Sequence, residues 1–172
     1  MVQIRRLSAA EAEGLLDELA GLLQDSVGSG ASVGYLPPLS TDEAGAYWRE
    51  ILREMSADRR VLVGAFDQGR VVGAVQLHLE GRPNGSHRGE VNKLLVHTAW
   101  RRRGIGRELM KALEGEARLA GRTLLVLDTR AGDSAEGLYR ELGYQAAGRI
   151  PGYARNGEGG LDATVFMYKQ LE

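Results

Sequence analysis

The sequence predicts an α/β (α+β) domain: one mixed sheet of about seven strands with four helices. Three observations carry this. Apolar residues recur at helical spacing in four segments, and with a period of two or as short continuous runs in the others. The order β-α-α-β-β-β-α-β-α-β-β combines a hairpin-linked block of strands with strand–helix–strand units, so the sheet is mixed. With 172 residues, 43% of them apolar, and neither a long linker nor an internal repeat, residues 1–172 form a single domain that buries a sizeable core.

Val2, Ile4 and Leu7 alternate in a short first strand. Ser8 and Glu11 form a capping box that opens a helix with Leu15, Leu16, Leu19, Leu22 and Leu23 on one face, ending near Gly28–Gly30. Gly30–Ser40 (GASVGYLPPLS) is too rich in Gly and Pro for a regular element. Ser40 or Thr41 caps a second helix whose apolar face is Tyr47, Trp48, Ile51, Leu52 and Met55. Val61–Phe66 and Val71–Glu80 are strands joined by the turn Asp67–Arg70, a hairpin. Gly81–Gly89 is a loop with an Asn84-Gly85 turn signal. The run Val91–Val96, interrupted by Asn92 and Lys93, is a buried strand. Ile105, Leu109, Leu113 and Ala117 make a single apolar stripe on the third helix, which Gly121 closes. Thr123–Arg130 is a strand buried on both faces. Ser134 caps a short helix through Leu142. Tyr144–Ile150 is a weak strand, Pro151–Tyr153 a break, Arg155–Gly160 a hairpin tip and Ala163–Lys169 the last strand.

Composition narrows the function classes. The formal net charge is −1, so nothing in the overall balance favours nucleic acid or an anionic membrane. The absence of cysteine excludes disulfides, thiolate zinc sites and a Cys nucleophile. His78, His87 and His97 have neither the spacing nor the neighbours of a metal site, so no metal is expected. Without a signal-like or membrane-length apolar segment, a cytoplasmic location is expected.

The functional signal lies in Glu90–Arg107, EVNKLLVHTAWRRRGIGR. A strand runs into Arg101, Arg102 and Arg103, then into Gly104-Ile105-Gly106 and a helix start. The first amides of a helix lack internal partners and sit at the positive end of its dipole, so they bind anions. This is not a P-loop, since no G-x-x-x-x-G-K-[ST] occurs, and the third Gly of a dinucleotide fingerprint is missing. Arg101-x-x-Gly104-x-Gly106 between an apolar strand and an amphipathic helix resembles the acyl-CoA pyrophosphate loop of the GNAT superfamily of N-acetyltransferases. The element order resembles that fold over essentially the whole chain.

The resemblance implies a sheet splayed between its fourth and fifth strands, with acetyl-CoA as cosubstrate. The pantetheine arm would lie along Leu94, Leu95 and Val96, and the pyrophosphate on Arg101–Arg107, that is Arg101, Arg102, Arg103, Gly104, Ile105, Gly106 and Arg107. A second motif, Ala135-x-x-Leu138-Tyr139-x-x-Leu142-Gly143-Tyr144, is similar to the family pattern whose Tyr protonates the departing thiolate. Tyr139 takes that role by resemblance; read without it, Tyr139 is a partly buried aromatic. Seven residues before this Tyr the family often carries an Asn that contacts the pantetheine. Gly132 stands there, which leaves the contact to Ser134 or without a counterpart.

Acetyl transfer needs a neutral amine, so a base must take its proton. Glu90 and Asp128, one at each end of the central strands, are candidates for binding the cationic amine or relaying its proton. Otherwise they are a solvated strand end and a loop cap. Gly30–Tyr35, Arg82–Val96, Leu127–Gly132 and Pro151–Tyr153 are similar to the tabtoxin-resistance acetyltransferases, which acetylate the α-amino group of a β-lactam amino acid. That resemblance implies a small amino-acid-like amine as acceptor, proton-handling roles for Glu90, Asp128 and Tyr139, and substrate contacts from Ser32, Tyr35, Glu90, Asp128 and Tyr153. Two other functions fit the same motifs: a protein N-terminal or lysine acetyltransferase, and an acyl-CoA-binding regulatory module without turnover. Either a monomer or a homodimer is compatible with the sequence.

Overall fold

The computed structural model describes all 172 residues. Twelve regular elements follow in order: β1 (Gln3–Leu7), α1 (Ala9–Gly14), α2 (Leu16–Gly28), α3 (Thr41–Ser56), β2 (Arg60–Asp67), β3 (Arg70–Leu79), β4 (Arg88–Val96), α4 (Ile105–Leu119), β5 (Leu124–Arg130), α5 (Ser134–Glu141), β6 (Gln145–Arg155) and β7 (Leu161–Gln170). Short 3₁₀ turns occupy Pro83–Gly85 and Thr98–Trp100. The seven strands form one sheet in the order β1-β2-β3-β4-β5-β7-β6, with every pair antiparallel except β4–β5. No helix is long and apolar enough to cross a membrane.

Two apolar layers flank the sheet. On one side α1–α3 bury Leu19, Leu22, Leu23, Trp48 and Ile51 against Leu62, Phe66, Ala74 and Leu95. On the other, Ile105, Leu109, Leu113 and Ala117 of α4 pack on Val63, Val75, Leu77, Val91 and Leu125, as their four-residue spacing predicts. The predicted Ser8–Glu11 capping box forms, and Ser40 rather than Thr41 caps α3 in a second one: the Ser8 and Ser40 hydroxyls accept from the amides of Glu11 and Glu43, whose carboxylates bond back to the cap amides.

Three local details differ from the sequence expectation. Five helices replace four, because the first is interrupted at Leu15 (φ −110°, ψ 13°), directly after Gly14, a weak helix former. Pro151–Tyr153 is a bulge rather than a break. Ile150 pairs with Thr164 and Ala154 with Asp162, so β6 carries two extra residues there and continues to Arg155. The cap of α5 is Asp133, not Ser134, which is the first helical residue.

Two features of β4 shape the rest. Its parallel pairing with β5 covers only Arg88–Glu90 against Leu124–Val126; beyond that the strands separate. It also bulges against β3. Gln76 pairs with Asn92 and Ala74 with Leu95, and the extra residue centres on Lys93, whose φ of +50° is rare for a side-chain-bearing residue. The insertion reverses the alternation of the strand. Val91 therefore faces α4, whereas Leu95, four residues on, joins the α1–α3 layer, and Leu94 and Val96 turn towards the α4 side.

Gly73 on β3 is required where β4 passes. A Cβ there would lie 3.0 Å from the Leu95 carbonyl oxygen and 3.1 Å from Leu109 Cδ1. Gly73→Ala is expected to destabilise the fold by about 1–3 kcal/mol. Gly115→Ala, in open space on α4, should stabilise it by roughly 0.5–1 kcal/mol. Urea unfolding of both variants checks this; a neutral Gly73→Ala would contradict the close packing.

Candidate active site

The parting of β4 and β5 opens two connected spaces. A groove of about 710 Å³ runs along Leu94, Leu95 and Val96 to Arg101, Arg102, Gly104, Ile105 and Gly106, with Ser134 and Ala135 on its far wall. A cavity of about 350 Å³ lies deeper in the split. Ala31–Gly34, Val91–Leu94, Asp128–Arg130, Tyr139 and Tyr153–Ala154 line it, with Asp162–Thr164 behind. Leu94, Arg130, Asp133 and Ala135 border both.

At the groove's outer end Gly104 caps α4 with a left-handed φ of +78° and no side chain, so nothing covers the first amides of the helix. A Cβ at Gly106 would meet Leu138 Cδ2 at 3.3 Å, so this position lets the helix start pack closely against α5. Those amides, at the positive end of a fifteen-residue helix, form an anion-binding surface. The arginines divide. Arg102 borders the groove without a hydrogen-bond partner of its own, whereas Arg101 is engaged in the frame, its Nε 3.0 Å from the Val96 carbonyl and its Nη2 2.8 Å from Ser29 Oγ. Arg103 and Arg107 point away. Arg103 donates to the Ala99 carbonyl at 3.0 Å, and Arg107 pairs with Glu141. Their side chains are therefore outside the groove wall that the sequence assigned them to.

The groove's other rim is pinned. Asp25 on α2 accepts from the Thr98 amide at 2.9 Å and from its hydroxyl at 2.7 Å. Arg130 donates to both Asp133 oxygens at 3.0 Å and to the Gly30 carbonyl at 3.0 Å, and contacts Asp162 at 3.4 Å. The end of β5, the α5 cap and the start of the α2–α3 loop are thus tied together. That loop crosses the cavity through Ser32, while Tyr35 lines an adjoining hollow of about 200 Å³ that it shares with Ser32 and Gly34.

Within the cavity Tyr139 is 6% exposed, stacked edge-on against Tyr144 at 5.8 Å. Burial, and secondarily the negative charge of Asp128, push its phenol above the ordinary tyrosine range, so it stays protonated and able to donate. Asp128 lines the same cavity. The Thr164 hydroxyl lies 2.9 Å from Asp128 Oδ2 and 3.0 Å from the Thr129 carbonyl, holding the carboxylate in place. Tyr153, in the β6 bulge, borders the cavity at its exposed edge and packs edge-on against Phe166 at 5.7 Å. Glu90 is not part of the cavity wall. It pairs with His78 and Val126 in the sheet, is exposed, and accepts from Asn92 Nδ2 at 3.1 Å. Asp128 lies two residues past Glu90's partner Val126 on β5, so both carboxylates are on one face of the sheet. No cluster of three or more His, Asp or Glu side chains is arranged to hold a metal ion.

The sequence singled out neither Thr164 nor Lys93 as a site residue. Lys93 lines the cavity beside Asp128. A Lys interrupting an apolar strand was the only signal, and it does not distinguish a bulge from a solvent-facing residue.

An opened sheet with a bare helix start at its mouth is the architecture that the Gly-x-Gly motif implied. The model of the Acetyltransferase (GNAT) family matches residues 31–144, so the chain belongs to that family and is an N-acetyltransferase. It is 31% identical over 119 residues to an uncharacterised N-acetyltransferase of Azospirillum brasilense, covering 68% of this chain and 69% of that one. It is also 28% identical over 171 residues to the L-methionine sulfoximine/L-methionine sulfone acetyltransferase of Pseudomonas paraeruginosa, covering 98% and 94% of the two chains. A protein from Salmonella typhimurium solved with its cofactor acetyl-CoA shares the fold at a TM-score of 0.80 and 20% identity, covering 100% of this chain and 95% of that one.

The raised Tyr139 value sets a titration expectation. Because both causes disfavour the phenolate, Tyr139 should remain un-ionised past the usual tyrosine value of about 10. The difference between wild-type and Tyr139→Phe in ultraviolet titration checks this, and tyrosinate appearing from Tyr139 at or below that value would contradict it.

Proposed function

We propose that the chain transfers the acetyl group of acetyl-CoA directly to the primary amine of a small amino-acid-like molecule. One observation carries this reading: the cavity that holds Asp128 and Tyr139 opens off the groove but is covered by the Ala31–Gly34 loop and walled by Tyr153. A space of about 350 Å³ suits a single small molecule. A polypeptide acceptor would need a groove running across the split, and here the loop and the β6 bulge lie over it. The Pseudomonas relative, which acts on amino-acid analogues and aligns over nearly the whole chain, supports the same class. So does the resemblance to tabtoxin-resistance enzymes, which extends the class to β-lactam amino acids.

The groove suits acetyl-CoA. The bare amides from Gly104 to Gly106 with Arg102 would take the pyrophosphate, helped by the backbone N–H groups of Arg103 and Arg107. Leu94–Val96 and Ser134 would take the pantetheine arm, which adds to β4 where β5 has left it. When bound, acetyl-CoA supplies an acyl group activated as a thioester. The chain's residues supply the proton traffic. Asp128, fixed by Thr164, binds the acceptor's ammonium and receives its proton. Glu90, on the same sheet face outside the cavity wall, passes that proton outward through water. Tyr139, kept as the phenol by burial, donates to the sulfur that leaves. With no cysteine in the chain, direct transfer is favoured over a thiol acyl-enzyme.

Assays with acetyl-CoA and a panel of amino acids, β-lactam amino acids, polyamines, aminoglycosides and peptides, reading free thiol, should give turnover with amino-acid-like amines. Turnover restricted to peptides would favour a protein acetyltransferase and reject this reading. Tyr139→Phe should lower kcat by about 10²–10⁴-fold at near-normal acetyl-CoA affinity. Asp128→Asn should cause a similar loss and Glu90→Gln a smaller one. Full activity in both carboxylate variants across pH would reject their roles.

A further inference from the structure

The cavity has an uneven charge ledger. Five charged side chains line it: Lys93, Arg130, Asp128, Asp133 and Asp162. Arg130 pairs with both Asp133 and Asp162, so these three are engaged with one another and carry one net negative charge. The remaining two, Lys93 and Asp128, form no salt bridge with each other or with any other residue, and only Asp128 has a hydrogen bond, from Thr164. The Lys93 ammonium is half-buried, and its nearest organised contact is the Tyr47 ring, 5.2 Å from its centroid. The loop closes over it, since a Cβ on Gly34 would be 3.6 Å from Lys93 Nζ.

Holding that ammonium there is unfavourable twice over. Burial lowers its proton affinity, and the neighbouring Arg60 cation lowers it further. Arg60 cannot be relieved by Lys93's partners, because it is already bonded to Glu54, to Gln76 Oε1 at 3.2 Å and to Asn92 Oδ1 at 3.0 Å. The backbone adds a cost, because Lys93 sits at positive φ in the bulge. A half-buried ammonium without a bonded counter-ion carries part of that desolvation cost until something pairs with it. Asp128 and Glu90 offset this only through space.

An α-amino acid carries the complementary pattern: an ammonium and a carboxylate two bonds apart. Resting on the reading of this cavity as the acceptor site, we propose that Lys93 Nζ binds the acceptor's α-carboxylate while Asp128 faces its ammonium. The bulge in β4 thereby selects free amino acids over amines that lack an adjacent anion. Lys93 is a specificity-determining residue, not a proton carrier. A peptide N-terminus or a lysine side chain presents the amine without the carboxylate and leaves Lys93 unpaired.

Isothermal titration calorimetry on the CoA-saturated protein tests this without turnover. The probes are L-methionine sulfone and its carboxamide, which keeps the amine but loses the charge. The wild-type protein should bind the amino acid roughly 10–100-fold more tightly, the range of a charge-assisted hydrogen bond. In Lys93→Met that preference should collapse to within about threefold, with affinity for the carboxamide and for CoA nearly unchanged, and Lys93→Arg should restore part of it. Equal binding of the two probes by the wild-type protein overturns the proposal with no variant needed. Binding of neither, or an undiminished preference in Lys93→Met, also overturns it. The proposed activity fails separately. An amino acid bound through Lys93 but never acetylated would sink the transferase reading for this acceptor class and leave the carboxylate site standing. Equal acetylation of amino acid and carboxamide would do the reverse.

Discussion

Past Glu90 and Val126 the ladder between β4 and β5 stops, although both strands continue, β4 to Val96 and β5 to Arg130. Backbone N–H and C=O groups on the two inner edges are left without sheet partners, and such groups are costly inside a protein unless something else bonds them. The rest of the molecule is arranged around that gap. β7 secures the outer side of β5 along its whole length, from Leu124 to Arg130, so β5 can leave β4 without fraying. β3 pairs with β4 on both sides of the Lys93 bulge. The groove follows Leu94–Val96 along this open edge, so an extended ligand that bonded like a strand would complete the sheet there.

The bulge at Lys93 then decides what each side of the gap contains. By adding one residue it turns Leu94 and Val96 towards the α4 start and Leu95 into the α1–α3 core. The groove is therefore apolar along the strand and polar at the helix start. The same insertion places a lysine on the wall of the cavity that holds Asp128. One irregularity thus shapes both spaces. The ties from Arg130 to Gly30 and from Asp25 to Thr98 hold the covering loop against them.

The sequence made the scaffold legible where local chemistry is unambiguous. Ser8 with Glu11 announces a helix start by reciprocal hydrogen bonds, and Ser40-Thr41 places the next one to within a residue. Ile105, Leu109, Leu113 and Ala117 announce a buried stripe, and all four are at most 4% exposed. The Gly104-Ile105-Gly106 turn was legible for the same reason, since a left-handed cap needs glycine. What escaped depends on tertiary registration. The β4 bulge is built on Lys rather than Gly, so nothing in the sequence marks its positive φ. The Pro151–Tyr153 bulge reads as a stop because proline and glycine stop most strands, and only pairing with β7 carries the chain through. Arg103 and Arg107 share the charge and spacing of Arg102 but are drawn off by Ala99 and Glu141, partners that folding alone supplies.

The central claim is that the open edge of β4 and the bare start of α4 form one binding surface for acyl-CoA. Amide hydrogen exchange with and without CoA tests it most directly. The account predicts that CoA slows exchange at Leu94–Val96 and Gly104–Arg107 together, and leaves the β1–β2 ladder unchanged. Protection confined to other elements, or none in either segment at saturating CoA, would contradict it.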